Sequence, residues 1–329
     1  MSFVRYNTDD SVISSETVVR GMWTADTASL TTFFTSSIVT SSYYLNVYDT
    51  STTSSLQFAV QYGHLNGSGS ADINSAVADI TPTRITYGQY RSLIYNDENS
   101  SFTFGGVTSK DFFALNIARS RFKESIKPGS LTLRISGSSN SITLTDDSIV
   151  SGSVTNFIGS NRYYTLISGS AGSSAPISLA GATGSYGLLF PDLGTILLNP
   201  GALAAAANAG GIGMSINTTN GQTGNPNLVS LFTNIKSGSL FTLQSQETVS
   251  SRYFFTRVKN NEFNYTTNPS VINDSGSLLY DTLIDNPQTY LTTVGMYNDS
   301  NELLAVAKLS RPLIKDFTKE ALIRVKLDY

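Results

Sequence analysis

Apolar residues recur at every second position through most of this chain, a period that suits an extended strand and not a helix. In Leu56-Gln57-Phe58-Ala59-Val60-Gln61-Tyr62, residues 56, 58, 60 and 62 fall on one side of the backbone. Phe113, Leu115 and Ile117 alternate with smaller or polar residues. Leu131 to Ile135 and Ile142 to Leu144 do the same across the turn-forming run Ser136-Gly137-Ser138-Ser139-Asn140, which predicts a hairpin. A second hairpin is predicted where Tyr186 to Phe190 and Thr195 to Asn199 flank Pro191-Asp192-Leu193-Gly194, with proline setting the turn and glycine supplying positive φ. A third joins Thr292 to Tyr297 with Leu303 to Leu309 through Asn298-Asp299-Ser300-Asn301, after which Pro312 punctuates the chain. The last strand, Ala321 to Tyr329, puts Ala321, Ile323, Val325, Leu327 and Tyr329 on one face and Arg324, Lys326 and Asp328 on the other.

Helical spacing is confined to two places. Thr83 to Tyr95 follows Pro82 with Ile85, Gln89, Leu93 and Ile94 near the helical period. Pro200 to Asn208 holds an alanine-rich run with proline at its start and Gly210-Gly211 past its end. Two stretches have linker composition, Ser168 to Gly184 and Asn208 to Asn227, and the second is the better boundary. The expected architecture is mainly β: antiparallel β-sandwich-type domains with one or two short helices and long Gly/Ser/Asn-rich loops. The expected division is a β-rich domain over residues 1–207, a Gly/Asn-rich loop or linker over 208–227 and a second β-rich domain over 228–329, or else one continuous multi-sheet unit.

Composition narrows the function classes. Charged residues are only 14% of the 329, against roughly 25% in ordinary soluble domains. Ser, Thr, Asn and Gly hold the surface share that Lys and Glu usually take, so the like-charge repulsion that keeps monomers apart is weak. A net charge of -3 argues against nucleic acid as a partner, since phosphate affinity needs clustered Lys and Arg. The basic residues near the C-terminus, Lys308 to Lys326, are interleaved with Asp316, Glu320 and Asp328. No apolar run of about 18 residues predicts a membrane span, and the start does not read as a secretory signal. With 0 cysteines there is neither a disulfide framework nor a thiolate metal site.

Candidate chemistry is sparse. His64 is the only histidine and would have to serve any Ser-His-Asp triad, but in Gly63-His64-Leu65-Asn66-Gly67-Ser68-Gly69 it reads as a hydrogen-bonded loop residue. Asp9-Asp10, Asp97-Glu98 and Asp146-Asp147 are the paired carboxylates, each with the composition of a solvated turn. Asn273-Asp274-Ser275-Gly276 and Asn298-Asp299-Ser300 lack the alternating acids and closing Glu of a calcium loop. Gly105-Gly106 and the Gly63 to Gly69 cluster fit neither phosphate-binding fingerprint. Sequence reasoning therefore assigns no catalytic, cofactor-binding or metal residue, and no cofactor. Aromatic residues make up 11%, with Tyr43-Tyr44, Tyr163-Tyr164 and Tyr253-Phe254-Phe255 in strand-like segments suited first to cores and then to interfaces or sugar stacking.

Several segments resemble the virion structural proteins of T4-like contractile-tailed bacteriophages, notably those of marine and cyanobacterial hosts. They are FAVQYGHLNGSGS and PTRITYGQYRSLIY within Phe58 to Tyr95, IARSRFKESIKPGSLTL from Ile117, SYGLLFPDLGTILLN from Ser185, FTLQSQETVSSRYFFTRVKNNEFNYTTNP from Phe241, and Pro287 to Tyr329. The VGMYNDSNELLAVAKL hairpin also resembles strand pairs of baseplate and tail-collar fibre proteins. The resemblance implies a non-enzymatic, homo-oligomeric particle component, assembled in the bacterial host cytoplasm and located in the virion. Its implied partners are copies of itself and other tail, baseplate or neck proteins, with a host-surface glycan as a further candidate. Competing expectations are a neck, collar or head-decoration protein, a receptor-binding fibre module, and a β-rich polysaccharide depolymerase.

Overall fold

The computed structural model describes residues 5–23, 27–28, 34–35, 43–49, 54–71, 80–138, 140–150, 155–174, 183–222, 224–266 and 268–329. The fold is mainly β, and the strand pairings are antiparallel. The chain divides into two compact units, Val18–Glu247 and Met1–Thr17 with Thr248–Tyr329. This division differs from the expected one at residues 208–227.

In the larger unit one long sheet runs in the order Leu240–Thr242, Thr132–Ser136, Ser141–Asp146, Asn161–Ser170, Gly187–Phe190, Thr195–Leu198, Asp111–Ile117, Leu56–His64, Leu45–Tyr48 and Phe34–Thr35. Two of the expected hairpins lie within it, with Ile135 opposite Ile142 near one edge and Leu189 opposite Ile196 at the centre. Gly194 closes the second hairpin at φ 67°, as its turn requires. Alternation then sorts side chains between two cores. Phe113, Leu115, Leu189, Ile196 and Leu198 join Phe58, Val60 and Tyr62 on one face. Phe112, Ala114, Leu188, Phe190 and Leu197 face the other. Both faces are buried, so these strands read as near-continuous apolar runs.

The sheet also curls over on itself. Phe58 and Phe241 lie seven strands apart in sheet order, yet their rings meet at 5.2 Å, with Trp23 against both at 6.3 and 5.4 Å. The face carrying Phe58 becomes the inside of a sandwich-like fold, and the edge strand Leu240–Thr242 is capped by backbone bonds from Met22 and Ala28.

Among the described residues of this unit there are three α-helices. Helix α1 (Pro82–Tyr95) starts where the Thr81 hydroxyl accepts from the Arg84 N–H at 3.3 Å, with Pro82 in the first turn, and ends at Asn96 with φ 53°. It lays Tyr87, Tyr90 and Ile94 on the outer core. Helix α2 (Pro200–Ala204) is shorter than the alanine run predicts, and a separate turn of 3-10 helix covers Ala207–Ala209. Helix α3 (Pro226–Gly238) was not expected. Asn225 caps it, Pro226 opens it, and Leu228, Leu231, Phe232 and Ile235 form one apolar stripe in the inner core.

The glycine-rich run 208–227, expected as a loop or linker, is a packed loop inside this unit. Ile212 and Met214 are buried in the inner core. Asn227 clamps the loop by accepting from the Asn217 N–H at 2.7 Å and donating to its carbonyl at 2.8 Å. Gly211 is required because a Cβ there would lie 2.0 Å from the Ala205 carbonyl oxygen. Composition marked flexibility, whereas Gly211 serves close backbone approach and Gly221 and Gly224 take up positive φ. Of the other linker-like stretch, Ser168 to Gly184, residues 175–182 lie outside the described residues, and its start is strand, with Gly169 and Ser170 paired to Ser174 and Ser173.

The smaller unit has two layers. One is the sheet ordered Ser11–Gly21, Gln244–Val258, Ala321–Asp328, with Phe254 opposite Val325 and Thr256 opposite Ile323. The other is a two-stranded ribbon, Thr289–Tyr297 paired with Leu303–Lys315. Val294, Met296, Ala305, Ala307 and Leu309 of the ribbon pack against Phe254, Ile323, Val325 and Leu327 of the sheet. The last strand alternates as the sequence predicts, with Ile323 and Val325 buried and Arg324 and Lys326 exposed. Pro312 does not end its strand. Between Leu291 and Thr293 the ribbon register jumps from Leu313 to Lys308, and the proline lies in that bulge, where its missing N–H costs no ladder bond. A short helix α4 (Thr282–Asp285) precedes the ribbon.

Candidate functional site

The groups that chemistry would need are spread apart and engaged in local structure. His64 ends the strand Leu56–His64 and is nearly buried. Its Nδ1 accepts from the N–H groups of Asn66 at 3.1 Å and Ser68 at 3.3 Å, which places the proton of the neutral ring on Nε2. Burial holds its pKa below the usual histidine value, against the opposing pull of Asp111 across the sheet. The glycines beside it allow close packing onto the start of α1. A Cβ on Gly67 would lie 2.3 Å from the Thr81 hydroxyl, which itself donates to the Gly67 carbonyl at 2.9 Å.

The carboxylate pairs divide. Asp10 accepts from the Asn7 N–H, and Asp97 from Asn99 and Ser100, as solvated turns do. The Ser100 hydroxyl bond, then the Asn99 N–H, holds Asp97 below the usual carboxylate range. Asp146 departs from that expectation: it is fully buried. Its Oδ1 accepts from the Gly129 N–H at 2.8 Å, the Ser148 N–H at 3.3 Å and the Ser148 hydroxyl. The residue is the last of its strand, so its side chain supplies acceptors to two chain reversals that the ladder cannot reach. Asp147 accepts from the Thr165 N–H at 2.9 Å, and burial pushes its pKa up.

Asn273 and Asn298 act as turn residues. Asn273 accepts from the Ser277 N–H at 2.8 Å, and Asn298 from the Glu302 N–H at 2.8 Å. Gly105 and Gly106, at φ 58° and 83°, form the tight turn of the hairpin Phe102–Phe104/Val107–Ser109. Among the described residues, no group of three or more His, Asp or Glu side chains could hold a metal ion. No described helix is long and apolar enough to cross a membrane.

The tyrosines sort largely by unit, with Tyr44 of the larger unit exposed and Tyr6 and Tyr253 of the smaller half-buried. In the larger unit Tyr62, Tyr87 and Tyr186 are buried, and each hydroxyl finds an acceptor: Asp111 at 2.9 Å, the Ser109 carbonyl at 3.4 Å and the Gly210 carbonyl at 2.6 Å. Burial first, then the Asp111 charge, pushes Tyr62 far up, so it stays neutral. In the smaller unit Tyr265, Tyr280, Tyr290, Tyr297 and Tyr329 are exposed.

The smaller unit also exposes much of its Val, Ile and Leu, and this apolar surface is the candidate site. Among the described residues of the smaller unit, the buried apolar side chains are Val258, Met296, Ile323 and Val325. Val12, Ile13, Leu279, Ile284, Leu303, Leu304, Val306, Leu313, Ile314, Phe317 and Leu322 are exposed alongside the tyrosines. The ribbon concentrates this surface. Tyr297 lays its ring across Gly295 and beside Leu303, so that a Cβ on Gly295 would lie 2.9 Å from the ring. Val306, opposite Gly295, and Leu304 continue the same outer face, and a register shift between Met296 and Tyr297 brings Leu303, opposite Tyr297, onto it as well. The signal was present in the sequence but unread: Leu303-Leu304-Ala305-Val306-Ala307 is apolar at both parities, which gives a strand two apolar faces.

No family model, curated protein or solved structure matches this chain.

The surface also carries shallow concavities, two of which have informative linings. One, of about 500 Å³, lies beside α1 between Leu65, Ile80, Arg84, Ile85, Tyr87 and Arg91, and no carboxylate lines it. The other, of about 450 Å³, lies against α4 and is lined by Leu283, Asp285, Asn286, Gln288 and Tyr290.

Proposed function

We propose that this chain is a non-enzymatic structural protein of a tailed-phage virion, acting in the tail or baseplate through contacts between many copies. The observation that carries the assembly part is the apolar surface of the smaller unit. Free monomers rarely expose contiguous apolar patches beyond a few hundred Å², and larger ones mark interaction sites. Low surface charge supports the same reading, because little repulsion opposes close approach of like subunits. The phage assignment rests on the resemblance of the segments from Phe58 to Tyr329 to contractile-tail virion proteins. The test is to image purified particles and locate the chain. Copies at sixfold or threefold positions on the tail axis are expected, and a chain that never enters particles refutes the proposal.

A second reading has one observation in its favour. The concavity against α4 joins an exposed tyrosine to Asp285, Asn286 and Gln288, the aromatic-plus-amide lining that stacks and hydrogen-bonds a sugar. Under this reading the chain is a receptor-binding module. Binding on a glycan array that Tyr290→Ala abolishes would support it, and an array without hits would remove it.

A further inference from the structure

Resting on the assembly reading above, we infer that the outer face of the ribbon Thr289–Tyr297/Leu303–Lys315 binds the same face of a second copy, antiparallel across a two-fold axis. The inner face of this ribbon is already covered by Phe254, Ile323, Val325 and Leu327. Near its tip the outer face leaves Tyr297 44%, Leu303 53%, Leu304 68% and Val306 58% exposed. At about 150–200 Å² for a whole large side chain, these four expose roughly 300–450 Å² of apolar surface. Thr293 and Lys308, exposed on the same ribbon, extend the face to the size of a small, reversible contact.

Charge placement selects a second copy and its direction. The tip of the ribbon carries Asp299 and Glu302, and its middle carries Lys308 and Arg311. Within the chain these charges are weakly committed. Asp299 meets Arg5 at 3.6 Å with both side chains almost fully exposed, and Glu302 accepts from Asn298 at 2.6 Å. Glu302 and Lys308 are about 20 Å apart along an extended strand. A two-fold axis at the level of Ala305 therefore sets Glu302 against Lys308 and Leu304 against Val306, each pair formed twice, as an isologous contact requires. Parallel stacking in register would instead set Lys308 on Lys308.

The test is sedimentation velocity on the full chain from 1 to ~100 µM, a range that spans ordinary dimer affinities. Wild type is expected to dimerise reversibly. Leu304→Asp with Val306→Asp should weaken association by about tenfold or more, as expected for the centre of an interface. Glu302→Lys and Lys308→Glu should each weaken it several-fold, and the two together should recover it to within about twofold. All four positions are exposed, so far-UV circular dichroism and Trp23 fluorescence should match wild type. A chain that stays monomeric, a dimer indifferent to these variants, or a double charge variant that fails to recover would each overturn the inference. Immunoblotting of purified particles separates this from the broader reading. If the wild-type monomer enters particles but the ribbon variants do not, another protein occupies this face and the second-copy assignment falls while assembly stands.

Discussion

Replacing Phe241 by alanine tests whether the long sheet really curls over on itself. Phe241 belongs to the edge strand Leu240–Thr242 and is fully buried against Phe58 and Trp23, at 5.2 and 5.4 Å between ring centroids. Those contacts exist only if the two ends of the sheet close over a shared core. Truncating a buried phenylalanine to alanine costs about 3–5 kcal/mol through lost transfer energy and the cavity left behind. With a urea slope of roughly 2–3 kcal/mol/M for a unit of this size, the midpoint should fall by about 1–2 M. Trp23 is the single tryptophan and touches the substituted ring, so its fluorescence reports the unfolding of the larger unit directly. Phe157→Ala is the control: its side chain is 63% exposed, and the expected change is within about 0.5 kcal/mol. A Phe241→Ala shift no larger than that of Phe157→Ala would refute the closure, because an open sheet would leave Phe241 at a solvated edge.

Two further outcomes follow from buried polar groups. Lys315 is fully buried in the smaller unit, and its Nζ donates to the Asn260 carbonyl at 2.9 Å, Asn264 Oδ1 at 2.7 Å and the Asp316 carbonyl at 2.9 Å. Lys315→Met keeps the volume but strands those acceptors, at a cost of about 2–4 kcal/mol. Amide exchange across 259–264 should then quicken by at least tenfold, and unchanged protection would show that the lysine does not hold this loop. For His64 the pH dependence has a definite sign. Burial holds its folded pKa below the ordinary 6.5, so the unfolded chain binds the proton more readily. Its contribution is fully present above pH 6.5 and is lost as pH falls through the folded value. The Trp23-monitored urea midpoint of wild type should drop on acidification from pH 7.5 to 5.5 by more than that of His64→Gln, and equal drops would refute the assignment.

Strand content, the pairing of the three hairpins and the start of α1 are legible residue by residue, because each rests on local chemistry. Period-2 alternation sets the faces of a strand, and Pro-Asp-Leu-Gly, Asn-Asp-Ser-Asn and Thr-Pro set reversals and caps within a few residues. Helix α3 was equally legible, from Asn225, Pro226 and the spacing of Leu228, Leu231, Phe232 and Ile235, but the neighbouring glycines drew the reading toward a linker. Everything that depends on which distant strands meet lies beyond such local rules. Gly211 looks flexible until Ala205 is seen against it, and Asp146 looks solvated until Gly129 and Ser148 close over it. The same holds for the apolar surface. Alternation buries one face of a strand and says nothing of the other, so only the two-layer packing of the smaller unit shows that Leu304 and Val306 remain uncovered while Met296 and Val325 do not.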